Sequence, residues 1–360
     1  MKRLKLAASV VLAFGSATGA FAQDSLTVVS WGGAYTKSQV EAYHKPFEKL
    51  TGMRIVSADY LGGLAEIKAQ VQSGNISWDV VDLELPDAVR GCDEGLFEKV
   101  DIAKLPAAPD GTGAEADFLP GSLQPCAVGS VIWSSIYAFN DNAFPGEKPA
   151  SVADFFDVKK FPGKRGFRKS PRTTLEMALM ADGVPSNKVY EVLGTEEGVE
   201  RAFAKLSTIK NDIVWWDANA QAPQMLNDGQ VVMTAASSGR IFDAQVIEKR
   251  PFTIVWDGQI LSMQLFGVVK GTPRKEKAME FVAFATGTKA LADQASWISY
   301  GPLRKSSMAL VGKHATTGIE MAPNLPTAAG HLVNALNDDF EFWADHQDEL
   351  NERFQTWLAK

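Results

Sequence analysis

Two diglycine steps stand out near the N-terminus, Trp31-Gly32-Gly33 and Tyr60-Leu61-Gly62-Gly63. Each follows a short apolar run and each lies beside an aromatic residue. A third run, residues 79–83, stops at Glu84. Glycine at such a point lets a ligand approach the backbone and leaves the first N–H groups of the next helix free for an anion. A carboxylate at the same level suits a cationic group. The same residues equally suit plain tight turns between strand and helix, and Glu84 equally suits a helix cap.

The elements around these steps explain their position. Residues 26–31 (LTVVSW) and 54–60 (RIVSADY) are apolar runs of strand length, as is 79–83 (DVVDL). Between them, Val40, Tyr43, Phe47 and Leu50 recur at helical spacing, with Pro46 weakening the middle, and Leu64, Ile67 and Val71 do the same further on. Thr51-Gly52 and Gly74-Asn75 end the two helices. Strand, helix, strand, helix, strand implies right-handed crossovers and a parallel sheet. Ligands in such sheets bind beyond the carboxyl ends of the strands, where the diglycines and Glu84 fall.

A second α/β region follows a Pro/Gly-rich stretch. Residues 131–140, 213–216, 231–236, 253–256 and 261–269 are expected as strands. Residues 173–182, 196–208, 239–248 and 273–286 are expected as helices. Residues 338–358 form an amphipathic tail carrying Phe340, Trp343, Leu350, Phe354 and Trp357, expected to pack on the first lobe.

The chain has 360 residues, 36 Lys+Arg and 43 Asp+Glu, for a formal net charge of −7. That balance argues against nucleic-acid binding, which needs a basic surface. With 20 Phe and 9 Trp it is no solvated coil. Lys2, Arg3 and Lys5, then the apolar run 6–14, then Ala20-Phe21-Ala22 form a secretory signal peptide over 1–22, with Gln23 as the mature N-terminus. No Cys follows the cleavage site to carry a lipid anchor. The expected product is a periplasmic, acidic monomer. Cys92 and Cys126 permit one disulfide in that compartment, or two free buried thiols.

Catalytic signatures are missing. There is no H-E-x-x-H, no G-x-S-x-G (Ser237-Ser238-Gly239 lacks the leading Gly), no phosphate-binding P-loop and no G-x-G-x-x-G. His44, His314, His331 and His346 are scattered, without metal-ligand spacing, and read as surface or incidental histidines. No cofactor or metal is expected. An exported two-lobe α/β chain without these motifs points to solute capture.

At this level the chain resembles the periplasmic solute-binding proteins of ABC importers, in the branch related to spermidine/putrescine-binding proteins. The likeness rests on VVSWGGAYTKSQVEAYHKPFEKLTG at 28–52, WDVVDLELPDAVRGCDEGLFEKVD at 78–101, FPGKRGFRKSPRTTLEMALMADGV at 161–184, WWDANAQAPQMLNDGQVVMT at 215–234, GRIFDA at 239–244, and WDGQIL with GVVKGTPRKEKAMEFVAFAT across 256–286. It implies an α/β Venus-flytrap fold of the type II periplasmic binding protein class, two lobes joined by a two-segment hinge. The first lobe would be 23–133 plus 266–360 and the second 134–265, with hinges near 134–137 and 260–266. A Cys92–Cys126 bridge is common in that branch.

The resemblance also carries binding positions. Trp31 through Tyr35 match the aromatic segment over the ligand. Glu84 matches a polar contact after the third strand, and Trp133 and Ser134 match the strand entering the second lobe. Arg172 and Thr173 fall where spermidine binders supply carboxylates. Ser237, ahead of Arg240, stands where many relatives have Trp. Ser262 and Gln264 replace an aromatic residue and an Asp, and Tyr300 matches another cleft segment. A polyamine needs spaced carboxylates, and leaving an ammonium unpaired in a dry cleft costs several kcal/mol. What remains is mixed, Glu84 and Asp217 against Arg172 and Arg240, and Arg suits a carboxylate. The expected ligand is therefore a zwitterionic ω-amino acid such as γ-aminobutyrate, with a polyamine second. The expected protein is no enzyme but delivers its ligand to a membrane permease. An exported enzyme acting on an amine or amino acid, or a ligand-presenting partner of a chemoreceptor, are the alternatives.

Overall fold

The computed structural model describes residues 25–360. The signal-peptide reading of 1–22, with Gln23 next, lies outside the described residues. A single continuous sheet runs through both lobes. Ser25–Ser30 sits between Arg54–Asp59 and Val80–Glu84, all parallel. Val80–Glu84 pairs antiparallel with the far end of Phe252–Val268. That long strand runs antiparallel to Ala127–Asn140. Beyond it come Met233–Ser237 (antiparallel), then Arg165–Arg168 and Ile213–Trp216, each parallel to its neighbour.

The two long strands therefore thread both lobes. Their register breaks between Ser135 and Tyr137, which oppose Ile260 and Val255. The segment 253–269 is one strand, not the two expected. Between the two expected strands Gly258, at φ 70°, forms an irregularity within the pairing. A Cβ there would lie 2.7 Å from the Val152 side chain.

Other expectations shift for local reasons. The first helix is interrupted by a wide π turn at Val40–His44 immediately before Lys45–Thr51. Pro46 lacks an N–H and its ring excludes the carbonyl four residues back, so the helix widens upstream of it. Leu50, expected on the apolar face, is 71 % exposed. The strand Arg165–Arg168 and the helix Thr288–Ala295 were not expected. His44 and His314 are buried rather than surface residues. His44 bonds Ser57 through Nδ1 and packs on Phe281, and burial lowers its pKa to about 4.

The C-terminal helix Phe340–Ala359 joins both lobes. Trp343 and Leu350 belong to the second lobe's core with Phe155, Leu179 and Leu206. Arg353 makes two hydrogen bonds to Glu196 there, at 2.7 and 2.9 Å. On the other side the helix meets Leu85–Asp93, where Arg90 bonds Asp348 at 2.9 Å. Packing on the first lobe alone, as expected from the amphipathic pattern, misses the second surface, because its aromatic residues extend around more of the helix than one stripe. Cys92 and Cys126 form a disulfide with Cα atoms 5.6 Å apart.

Candidate ligand-binding cleft

The space the glycines leave is filled by protein. A Cβ on Gly62 would lie 2.6 Å from the Trp31 ring, and one on Gly33 would lie 2.6 Å from Arg240 Nη1. Both glycines have positive φ, 93° and 59°. The diglycine steps thus admit an indole and a guanidinium from elsewhere in the fold, rather than presenting bare backbone.

Two cavities lie between the lobes. The outer one, about 280 Å³, is bordered by Trp31, Glu84, Asp87, Arg168, Arg172 and Asp217, with Gln347 and Asn351 of the C-terminal helix behind. The inner one, about 20 Å³, is bordered by Trp133, Thr173, Trp216, Asn219 and Ser237. Glu84, Arg168 and Arg172 belong to both walls.

Those three residues form the charged partition. Arg172 bonds Glu84 through one Nη and Asp338 through the other. Arg168 reaches Glu84 at 3.4 Å and donates to Leu61 O at 3.0 Å, crossing between lobes. Its guanidinium lies 5.6 Å from the Trp31 ring centroid, within cation–π range. Burial works against the Arg172 charge, but Asp338 and Glu84 outweigh it and raise its pKa. Burial, then the Glu84 charge, raise Asp87.

A second buried layer supports the partition. Tyr190 OH lies 3.2 Å from both Asp338 Oδ1 and Glu176 Oε1, with one proton to donate between them, and Trp343 Nε1 donates to Glu176 at 2.8 Å. Burial and then Asp338 push Glu176 up to about 8. Under the first-lobe floor, Tyr35 OH and Gln39 donate to Asp82, the Tyr35 bond being 2.8 Å. Burial pushes Asp82 up to about 7.

The sequence-derived residues separate into two groups. Trp31, Glu84, Trp133, Arg172, Thr173, Asp217 and Ser237 border the cavities. Tyr35, Ser134, Arg240, Gln264 and Tyr300 are buried but border neither. Tyr35 and Tyr300 pack ring to ring at 5.3 Å, Gln264 pairs with Glu84 across the sheet, and Arg240 bonds Trp31 O at 2.9 Å. Ser262, also carried over, donates to Asp338 at 3.3 Å. Arg168, Asp87, Asn219, Gln347, Asn351 and Asp338 were not named as site residues; of the Trp215-Trp216 pair, read from sequence as core plus one cleft wall, Trp216 borders the inner cavity and Trp215 packs on the core. Arg168 ends a strand on the cleft side, so the strand-end rule would have reached it once 165–168 was recognised as a strand, while Trp216 already ends the expected strand 213–216.

Three residues that border the inner chamber carry unpaired donors. The indole N–H groups of Trp133 and Trp216 and the Nε of Arg172 are buried and have no hydrogen-bond partner among the described residues. Thr173, on the same wall, holds a left-handed backbone at φ 67°, a strained conformation for a β-branched residue. An acceptor group in this chamber would satisfy donors that the fold leaves unpaired, and an unpaired buried donor costs about 1–3 kcal/mol. Among the described residues, no cluster of His, Cys, Asp or Glu could hold a metal ion, and no helix is long and apolar enough to cross a membrane.

A model of bacterial extracellular solute-binding proteins matches residues 42–327. The chain is 46 % identical over 349 residues to the gamma-aminobutyric acid-binding protein of Pseudomonas aeruginosa PAO1, covering 97 % of this chain and 95 % of the relative. Its fold is similar to the PBP MotA from A. tumefaciens B6 in complex with glucopine, with TM-score 0.84, 29 % identity, and 93 % and 99 % of the two chains covered. It is also similar to the Atu4243-GABA receptor, with TM-score 0.77, 32 % identity, and 94 % and 98 % covered. These relatives are binding proteins, not enzymes.

Proposed function

The chain belongs to the bacterial extracellular solute-binding proteins, and from that premise we propose that it captures γ-aminobutyrate, or a close ω-amino acid, between its lobes. One observation carries the reading: the Glu84–Arg168–Arg172 partition separates a donor-lined chamber from an outer cavity bearing Glu84, Asp87 and Asp217. The ligand carboxylate enters the inner chamber and accepts from the Trp133 and Trp216 indoles and from Arg172. The ammonium stays in the outer cavity against Glu84 and Asp217, with the Trp31 face beside it. Arg168 makes way, since its 3.4 Å contact to Glu84 is the loosest of the partition. The two positive side chains of the partition disfavour a diamine, which would bring a second cation beside them. A relative named for γ-aminobutyric acid and a solved GABA receptor support the same ligand.

Closure of the lobes about the two long strands, near the register break at Ser135–Tyr137, holds the ligand and presents it to the permease of an ABC importer. The protein works as a periplasmic monomer after removal of residues 1–22. N-terminal sequencing of the exported chain checks the last point, with Gln23 as the expected first residue.

The ligand is tested by a thermal-shift panel on refolded, ligand-stripped protein. It contains γ-aminobutyrate, β-alanine, 5-aminovalerate, putrescine, spermidine and glucopine. A ligand at about 100 times its Kd adds roughly 2.7 kcal/mol, enough to move Tm by several degrees. Selective stabilisation by an ω-amino acid is expected. A response to diamines or to glucopine alone overturns the assignment.

A further inference from the structure

Arg240 is the third residue of the helix Ser238–Val246, in the second lobe. Its side chain leaves that lobe. Nη2 donates to the main-chain oxygen of Trp31, in the first lobe, at 2.9 Å. Nη1 occupies the space over Gly33 that a Cβ would fill. The residue is 4 % exposed, and no carboxylate lies within ion-pair distance of it among the described residues. Its Nε has no partner among the described residues. Burial lowers its pKa, with Tyr300, Tyr35 and Asp59 opposing that and Arg168 adding to it.

A buried guanidinium with a carbonyl in place of a counter-ion is an expensive arrangement for a residue that only stabilises one lobe. When the lobes part, the guanidinium regains water and the Trp31 carbonyl loses its donor. The contact thus exists only when the lobes are together. It also acts on Trp31, the aromatic wall of the outer cavity. Neither cavity is bordered by Arg240.

We propose that Arg240 is the latch of the closed form, a positioning residue that holds Trp31 over the ligand without touching the ligand. Gly33 is its keeper, since a Cβ there would stand 2.6 Å from Nη1 and push that end of the guanidinium aside. The proposal takes the cleft as the solute site and assigns the residue that sets how long it stays shut. The expectation from sequence, that Arg240 binds the ligand carboxylate, leaves that task to Arg172 and the two indoles.

The first test needs no ligand. Leu61 and Lys169 border the same cavity from opposite lobes and are exposed. A Leu61→Cys/Lys169→Cys protein treated with a short bismaleimide, slowly enough for the lobes to open and close many times first, traps the closed form in proportion to its population and leaves the native disulfide untouched. Adding Arg240→Ala, and separately Gly33→Ala, is expected to slow trapping severalfold, with Arg240→Lys in between. A trapping rate unchanged by both Arg240 variants overturns the latch.

The second test is stopped-flow binding of γ-aminobutyrate and 5-aminovalerate. Arg240→Ala is expected to raise the dissociation rate about tenfold while association stays within about twofold, as for a group that acts after encounter. The affinity ratio of the two acids is expected to hold. A ratio that changes by more than about fivefold would make Arg240 a ligand contact and overturn the proposal. A wild-type protein that binds neither acid overturns the proposed function, while the trapping experiment still decides the latch.

Discussion

Glu84 and Arg172, 88 residues apart in sequence and on opposite lobes, share a buried ion pair, and the second Nη of Arg172 binds Asp338. One guanidinium therefore ties the first-lobe strand end, the second-lobe loop and the segment before the C-terminal helix. Removing it leaves Glu84 only the 3.4 Å contact to Arg168 and leaves Asp338 only hydroxyl partners. Arg172→Ala is expected to destabilise the fold by roughly 3–5 kcal/mol and to abolish ligand binding, while Arg172→Lys retains much of the stability and little of the affinity. Denaturant unfolding with calorimetric titration separates the two effects.

Glu84→Gln keeps the shape and removes the charge that the proposed function sets against the ligand ammonium. Binding of γ-aminobutyrate is expected to weaken by roughly 2–5 kcal/mol, mostly through faster dissociation. An affinity within twofold of wild type would move the ammonium site elsewhere.

Asp82 gives a pH signature with a definite sign. Its usual value is 3.8, and burial in the folded protein pushes it up to about 7. Between about pH 4 and about pH 7 the unfolded chain has lost this proton and the folded protein keeps it, so stability falls as pH rises through that window. The contribution is roughly 3–4 kcal/mol across the window. Asp82→Asn cannot ionise, so its stability relative to wild type is expected to climb by about that amount over the same range. Taking the difference cancels His44, whose lowered pKa pulls the other way. A flat difference curve would place Asp82 in a far more polar environment than the structure gives it.

Gly62 holds Trp31 in place by having no side chain. Gly62→Ala meets the indole at 2.6 Å and a φ of 93°. The expected cost is about 1–3 kcal/mol in stability, with ligand binding weakened about tenfold as the indole is displaced. Trp31 fluorescence is one of nine tryptophan signals, so the binding readout is better taken by calorimetry.

The disulfide closes a sequence separation of 34 residues. In the chain-entropy account its removal costs roughly 3–4 kcal/mol. Cys92→Ala/Cys126→Ala is expected to melt several degrees lower while binding the same ligand, since neither residue borders the cleft cavities.

The sequence by itself determined the two-lobed α/β architecture. Alternating apolar runs and glycine stops leave few other ways to bury that many strands, and motif spacing across the chain carried the resemblance to solute-binding proteins. It also reached the strand-end residues Trp31 and Glu84, because a strand's carboxyl end is a local feature. Tertiary structure alone decided which charges meet. Asp338 reaches Arg172 across 166 residues, and no local pattern marks it. Arg168 was hidden in the strand Arg165–Arg168, whose Arg-Gly-Phe-Arg sequence carries no apolar run to mark it. Arg240 sits at a helix start where ligand contact and lobe contact look alike in sequence. The position of Trp31 O and the bare Cα of Gly33 show the contact it makes with the first lobe. A side chain's chemistry is written at its own position, but its partner depends on how the two lobes pack, and that is a property of the whole chain.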